Sequence, residues 1–145
     1  YARLLETHTS LHWCCSMSKR LLQITVAILG LVPISAGLSG IILGPAAFGG
    51  PADITDLNSH FRYISGIFLA VGIAFYTTIP NIQIKTERFR LLTALVFIGG
   101  LARLMSLLLD GAPTTPHLIG LFLELGVVPA LAVWQGKIGQ RTPSS

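Results

Sequence analysis

Nineteen residues from Leu91 to Leu109, LLTALVFIGGLARLMSLLL, carry one charge, Arg103. At about 1.5 Å per residue, a helix of this length reaches across a bilayer core of about 30 Å. A cation inside such a segment costs about 2.5–3.5 kcal/mol on insertion scales, so something must offset it. The only other charge deep in an apolar run is Glu124. These two residues and the runs that hold them frame the rest of the chain.

Composition agrees with a membrane setting. Hydrophobic residues make up 52% of the 145 and charged residues only 11%. Soluble domains carry about 25% charged residues, so this chain has too little polar surface for a water-soluble globule. One compact unit is expected. The net charge of +4 comes from basic residues set between apolar runs, not gathered on a nucleic-acid face. Cys14 and Cys15 are adjacent and are the only cysteines, which argues against a disulfide framework or a cysteine zinc site.

Residues 1–16, YARLLETHTSLHWCCS, differ in character from the apolar runs of the remaining chain, and Met17 opens MSKRLLQ like a natural amino terminus. The expectation is an upstream extension or a disordered arm. His8, His12, Cys14 and Cys15 match no standard zinc spacing. Leu21 to Leu43 holds twenty-three uncharged residues behind Lys19 and Arg20, a first transmembrane helix. A cleaved signal peptide is the rival reading, but the apolar run continues past the small residues at Ser35–Gly37. Pro33 is expected to kink this helix, with Ser35 able to satisfy the freed carbonyl. Ala36, Gly40 and Gly44 form a small-residue stripe, and Gly66, Ala70 and Ala74 form a second.

Gly44 to His60 reads as a Gly/Pro-rich loop with Asp53 and Asp56. Spans come after it at about 61–79, 91–109 and 118–134, the last interrupted by Glu124 and Pro129. Trp134 and Gln135 fit an interface anchor, and 137–145 a basic tail. The fold expected is an all-α integral membrane four-helix bundle, antiparallel and up-down-up-down. Four spans put both termini on one side, with Lys19, Arg20, Lys85, Arg88, Arg90, Lys137 and Arg141. The opposite connections hold only Asp53, Asp56 and Asp110 outside the spans. The positive-inside rule then predicts cytoplasmic termini.

Counted along their helices, Arg103 lies six residues before Leu109 and Glu124 six after Leu118, both about 9 Å below the outer boundary. Opposite charges at one depth on consecutive helices can pair, and pairing is the cheapest way to keep either in lipid. Helical spacing adds Ser106 and Asp110 to the face of Arg103, and His117 and Gly120 to that of Glu124. Arg62 and His60 lie at the outer mouth of the second span. An ion pair that only fixes helix packing is one reading. The other is an outer polar pocket of Arg62, Arg103, Glu124, His60, Ser106, Asp110 and His117 for a lipid-like or small polar ligand or a partner subunit. Arg62 by itself also fits a snorkelling residue, and the histidines ordinary interface residues.

The segments LNSHFRYISGIFLAVG, FRLLTALVFIGGLARLMSLLLDG and LELGVVPALAVWQ carry a resemblance. From Met17 to Gln135 the chain resembles the small four-span bacterial membrane family known as domain of unknown function 4345. That family is distantly similar in plan to DoxX-like four-helix membrane proteins. The resemblance implies that His60, Phe61, Arg62, Gly99, Gly100, Arg103, Glu124 and Trp134 fall on motif positions. It also implies a bacterial inner-membrane setting, and it leaves function open.

The functional expectation is a non-enzymatic membrane protein without metal or cofactor. Its expected partners are membrane lipids and a second copy or another membrane protein, not nucleic acid. A small oligomeric transporter using Glu124 is the first alternative. A subunit of a membrane redox enzyme, by the DoxX-like analogy, is the second.

Overall fold

The computed structural model describes the backbone of residues 2–140 and the side chains of residues 16–140. The expected extension, with His8, His12, Cys14 and Cys15, lies outside the described side chains, as does Arg141 of the tail. Every regular element among the described residues is helical. The order is α1 (Ala2–Leu43), a 3₁₀ turn (Gly44–Phe48), α2 (Thr55–Tyr76), a second 3₁₀ turn (Ile79–Asn81) and α3 (Thr86–Asp110). Then come α4 (Thr115–Phe122), a π turn (Leu123–Val127) and α5 (Val128–Gln140) without a break. Four stretches are long and apolar enough to cross a membrane: Ser16–Phe48, Thr55–Asn81, Thr86–Asp110 and Thr115–Gln140.

Each helix begins ahead of its apolar stretch, because a helix already formed by its apolar run extends into polar residues at only a small propensity cost per residue. α2 starts at Thr55 within the expected loop, and α3 starts at Thr86, ahead of the apolar run from Leu91. The ends have local causes. Gly44 takes a left-handed φ of 64° and closes α1, and Gly111, at φ 95°, closes α3. Pro116 sits in the first turn of α4, where its missing N–H costs nothing. The outward side chains are large and apolar: Ile28, Ile98, Leu108, Leu109 and Phe122 are all exposed. Helices that stay apolar on the outer surface match a lipid solvent, not water.

The chain divides into two compact units. One is Ile24–Ile79, a hairpin of α1 against α2. Its contacts run antiparallel: Ala27 and Gly30 meet Tyr76, Ile34 meets Gly72, and Gly40 meets Ser65. Glycine makes the approach possible. A Cβ on Gly37 would stand 2.8 Å from the Ser65 carbonyl oxygen and the Leu69 nitrogen, and one on Gly72 would stand 2.8 Å from Ile34 Cγ1. The expected small-residue face on α1 is thus used at Gly40, together with Gly30 and Gly37. On α2 the face is that of Gly72, since Gly66 meets open space and Ala70 is exposed. Ser35 Oγ donates to the Val32 carbonyl at 3.1 Å, not to the Leu29 carbonyl that Pro33 leaves without its usual donor.

The other unit takes the start of α1 through Gln23 and the chain from Pro80 onward. Here α3 runs antiparallel to α4 and α5: Thr86 meets Gln135 at one end, and Arg103 meets Glu124 further along. Phe89, Leu22 and Ile82 form its tightest apolar core. Gln135 does not lie at a surface as an interface anchor would. It is 0% exposed, and its Nε2 donates to the Ile82 carbonyl at 2.7 Å and to Thr86 Oγ1 at 2.9 Å. Trp134 Nε1 donates to Ser18 Oγ at 3.0 Å, tying α5 to α1.

Candidate functional site

The site begins with a glycine. A Cβ on Gly100 would stand 2.8 Å from Leu125 Cδ2 and 2.9 Å from Glu124 Cβ. Its absence lets the π turn seat directly on α3. Three residues later, on the same face of α3, comes Arg103. Arg103 Nε donates to Glu124 Oε2 at 3.1 Å, and Nη2 donates to Oε1 at 3.3 Å. This is a two-point, side-on ion pair, which fixes geometry more tightly than a single contact. It is the one salt bridge among the described residues. The pairing is within a single chain.

The two partners are unequally covered. The Glu124 side chain is 11% exposed, and that of Arg103 is 32% exposed. The carboxylate is sunk between helices while the guanidinium reaches the surface. Nε and Nη2 face the carboxylate, and Nη1 has no hydrogen-bond partner among the described residues. Gly120 of α4 leaves room beside the guanidinium, where a Cβ would lie 3.9 Å from Arg103 Cζ. The arrangement can hold a second acceptor: the carboxylate orients the arginine, and Nη1 remains to donate to an oxyanion or a polar head group.

Glu124 sits inside the π turn Leu123–Val127. The Val128 N–H bonds to the Leu123 carbonyl, five residues back instead of four. The physical cause lies close by. Pro129 has no N–H to give, and its ring disfavours an α-helical turn immediately before it, so this turn can widen. Wide turns of this kind recur at functional sites because they re-aim a side chain without ending the helix.

The other expected site residues form separate arrangements. Ser106 Oγ donates to Asp110 Oδ2 at 2.9 Å, one helical turn along α3, and both are exposed. His117 Nδ1 lies 3.0 Å from Thr114 Oγ1, at the start of α4. His60 is exposed on α2.

Arg62 belongs to the α1–α2 unit and is engaged there. Its Nε donates to Asn58 Oδ1 at 2.7 Å, and its Nη1 donates to the carbonyls of Ile41 and Ile42. Those carbonyls are among the last four of α1, which have no partner within the helix. A guanidinium there satisfies them and complements the negative end of the helix dipole. Gly44 has a second reason to be glycine, because a Cβ would stand 3.0 Å from Asn58 Oδ1 and 3.2 Å from Arg62 Nη2.

Three features escape the sequence reading: the cap made by Arg62, the π turn at Glu124 and the burial of Gln135. The first had a signal in Asn58 and Arg62, four apart on α2 and facing a helix that ends in glycine. The second had one in Pro129, five residues after Glu124. The third had none, since a glutamine next to Trp134 at the end of an apolar run reads equally well as an anchor.

A family model described as "Domain of unknown function (DUF4345)" matches residues 21–135. Neither the curated proteins nor the solved structures contain a match.

Proposed function

The chain belongs to the DUF4345 family, and on that premise we propose that this multi-pass membrane protein binds a lipid-like or small polar ligand at Arg103, held ready by Glu124. The observation that carries this reading is the unequal ion pair. A buried carboxylate locks a guanidinium that is one-third exposed and still has Nη1 to offer. A pair that served packing alone would gain most from covering both charges, since each exposed polar group in lipid must be satisfied by something. A non-enzymatic role, as a binding protein or a partner subunit, fits this arrangement.

The proposal includes the setting. In the inner membrane of a bacterial cell, four spans would run up-down-up-down with both termini cytoplasmic. Support comes from the Lys and Arg residues outside the spans, which lie in the terminal flanks and the 81–90 connection. Ligand binding is tested by native mass spectrometry of the protein released from mild detergent. The native chain should carry a reproducible bound mass, and Arg103→Ala and Glu124→Gln should lose it while still inserting. Full retention of the bound mass in both variants overturns the reading.

The π turn favours a second reading, a small oligomeric transporter that uses Glu124. A wide turn can revert to α-helical hydrogen bonding and swing the carboxylate between two environments. Proteoliposomes decide it: flux abolished by Glu124→Gln supports transport, and no Glu124-dependent flux removes it.

A further inference from the structure

The opposite end of the α3–α5 unit carries a second polar feature that the Arg103 site does not use. The hydrogen bonds of Gln135 to Ile82 and Thr86, and that of Trp134 to Ser18, gather three parts of the chain in one place. Those parts bring cations with them, among them Lys19, Arg20, Arg90 and Lys137. Arg90 lies against α5. A Cβ on Gly136 would stand 3.5 Å from Arg90 Nη2, and Lys137 is the next residue. Arg90 and Lys137 are exposed, and neither has an ion-pair partner among the described residues.

Large exposed apolar side chains are near these charges in the chain. Ile84 is 69% exposed and Leu91, next to Arg90, is 62% exposed. We propose that this end of the unit seats the head groups of anionic phospholipids, with Arg90 and Lys137 on the phosphate and Leu91 and Ile84 along the acyl chains. The pairing of cations with bare apolar surface selects an amphiphile, because a free phosphate or a nucleic acid would leave Leu91 and Ile84 unused. The excess of positive charge selects an anionic lipid over a zwitterionic one, whose own ammonium group would meet like charge. Gly136, with no Cβ, leaves room for the guanidinium close to α5, two residues from Trp134.

The experiment is native mass spectrometry of the full chain in mild detergent, with equal amounts of phosphatidylglycerol and phosphatidylcholine of matched chain length. Phosphatidylglycerol adducts should exceed phosphatidylcholine adducts by about tenfold. The R90Q/K137Q variant should bring the two to parity, and R90K/K137R should keep the preference. If R90Q/K137Q does not fold by circular dichroism, Lys137→Gln alone should reduce the preference by about threefold. Parity in the native chain overturns the proposal, as does a preference that survives R90Q/K137Q or, where that variant does not fold, Lys137→Gln. Displacement of the lipid by millimolar inorganic phosphate would do so too.

Discussion

Arg62 and Arg103 are both arginines in apolar helices, one at the mouth of its span and one deep in it. Their surroundings make them different devices. Arg62 gives its donors to Asn58 and to two backbone carbonyls at the end of α1. No carboxylate is needed, because a helix terminus already offers partial negative charge. Arg103 lies in mid-helix, where all backbone carbonyls are taken, so only a side-chain carboxylate can meet it. Glu124 does this at 3.1 Å while leaving Nη1 unused. A capped helix end is complete, whereas a mid-helix pair with a spare donor has capacity left over. That difference is the reason the proposed ligand site is at Arg103 and not at Arg62.

The sharpest break in this comparison comes from removing one charge of the pair. Glu124→Leu should destabilise the chain by about 3 kcal/mol in a detergent unfolding titration, because it leaves Arg103 uncompensated. The double change Arg103→Met with Glu124→Leu should recover most of that loss, as uncharged pairs of similar volume commonly do. If it does not, the pair contributes through something other than charge compensation.

Arg62→Gln comes next, at about 2 kcal/mol in the same titration, since it removes charge-assisted bonds to exposed carbonyls. Arg62→Lys should restore part of this, because a point charge still faces the helix end. Arg103→Lys should restore little of the loss seen in Arg103→Ala, because an ammonium cannot make the two-point contact. Equal rescue at both positions would erase the distinction.

Smaller effects are expected from the glycines that admit each arginine. Gly44→Ala should cost about 1–2 kcal/mol for its left-handed backbone. Gly100→Ala should cost a similar amount through the clash with Glu124 and Leu125, and should also weaken ligand binding. Smallest is Gly99→Ala. A Cβ on Gly99 would meet nothing within 4 Å, so thermal unfolding should move by less than about 0.5 kcal/mol. The neighbouring pair Gly99 and Gly100 then reads out which face of α3 meets the π turn.

Much of the plan is legible in the residues alone. Four apolar stretches announce four helices by length, and helical counting puts Arg103 and Glu124 at one depth. The helix ends are less legible, because hydropathy does not say where backbone hydrogen bonding stops, and helix extends through polar flanks such as Thr55–His60. The small-residue faces are readable only in part. Four-residue spacing finds Gly40, but on α2 it picks Gly66, Ala70 and Ala74 and passes over Gly72, whose neighbours four residues away are Phe68 and Tyr76; only the contact with Ile34 reveals that face.

The sequence by itself determined that this chain is all-helical and apolar enough to cross a membrane four times, since hydropathy and length are local properties. It also determined that Arg103 needed a partner, because a charge in hydrocarbon is costly wherever it sits. Only tertiary structure decided who that partner is, how much of the guanidinium remains exposed, and that Arg62 closes a helix instead. Those outcomes depend on which faces meet: for Arg103, on a missing Cβ at Gly100 and a widened turn before Pro129, and for Arg62, on the missing Cβ atoms of Gly37 and Gly40 where α1 meets α2. None of these signals has a fixed meaning until two helices are packed together.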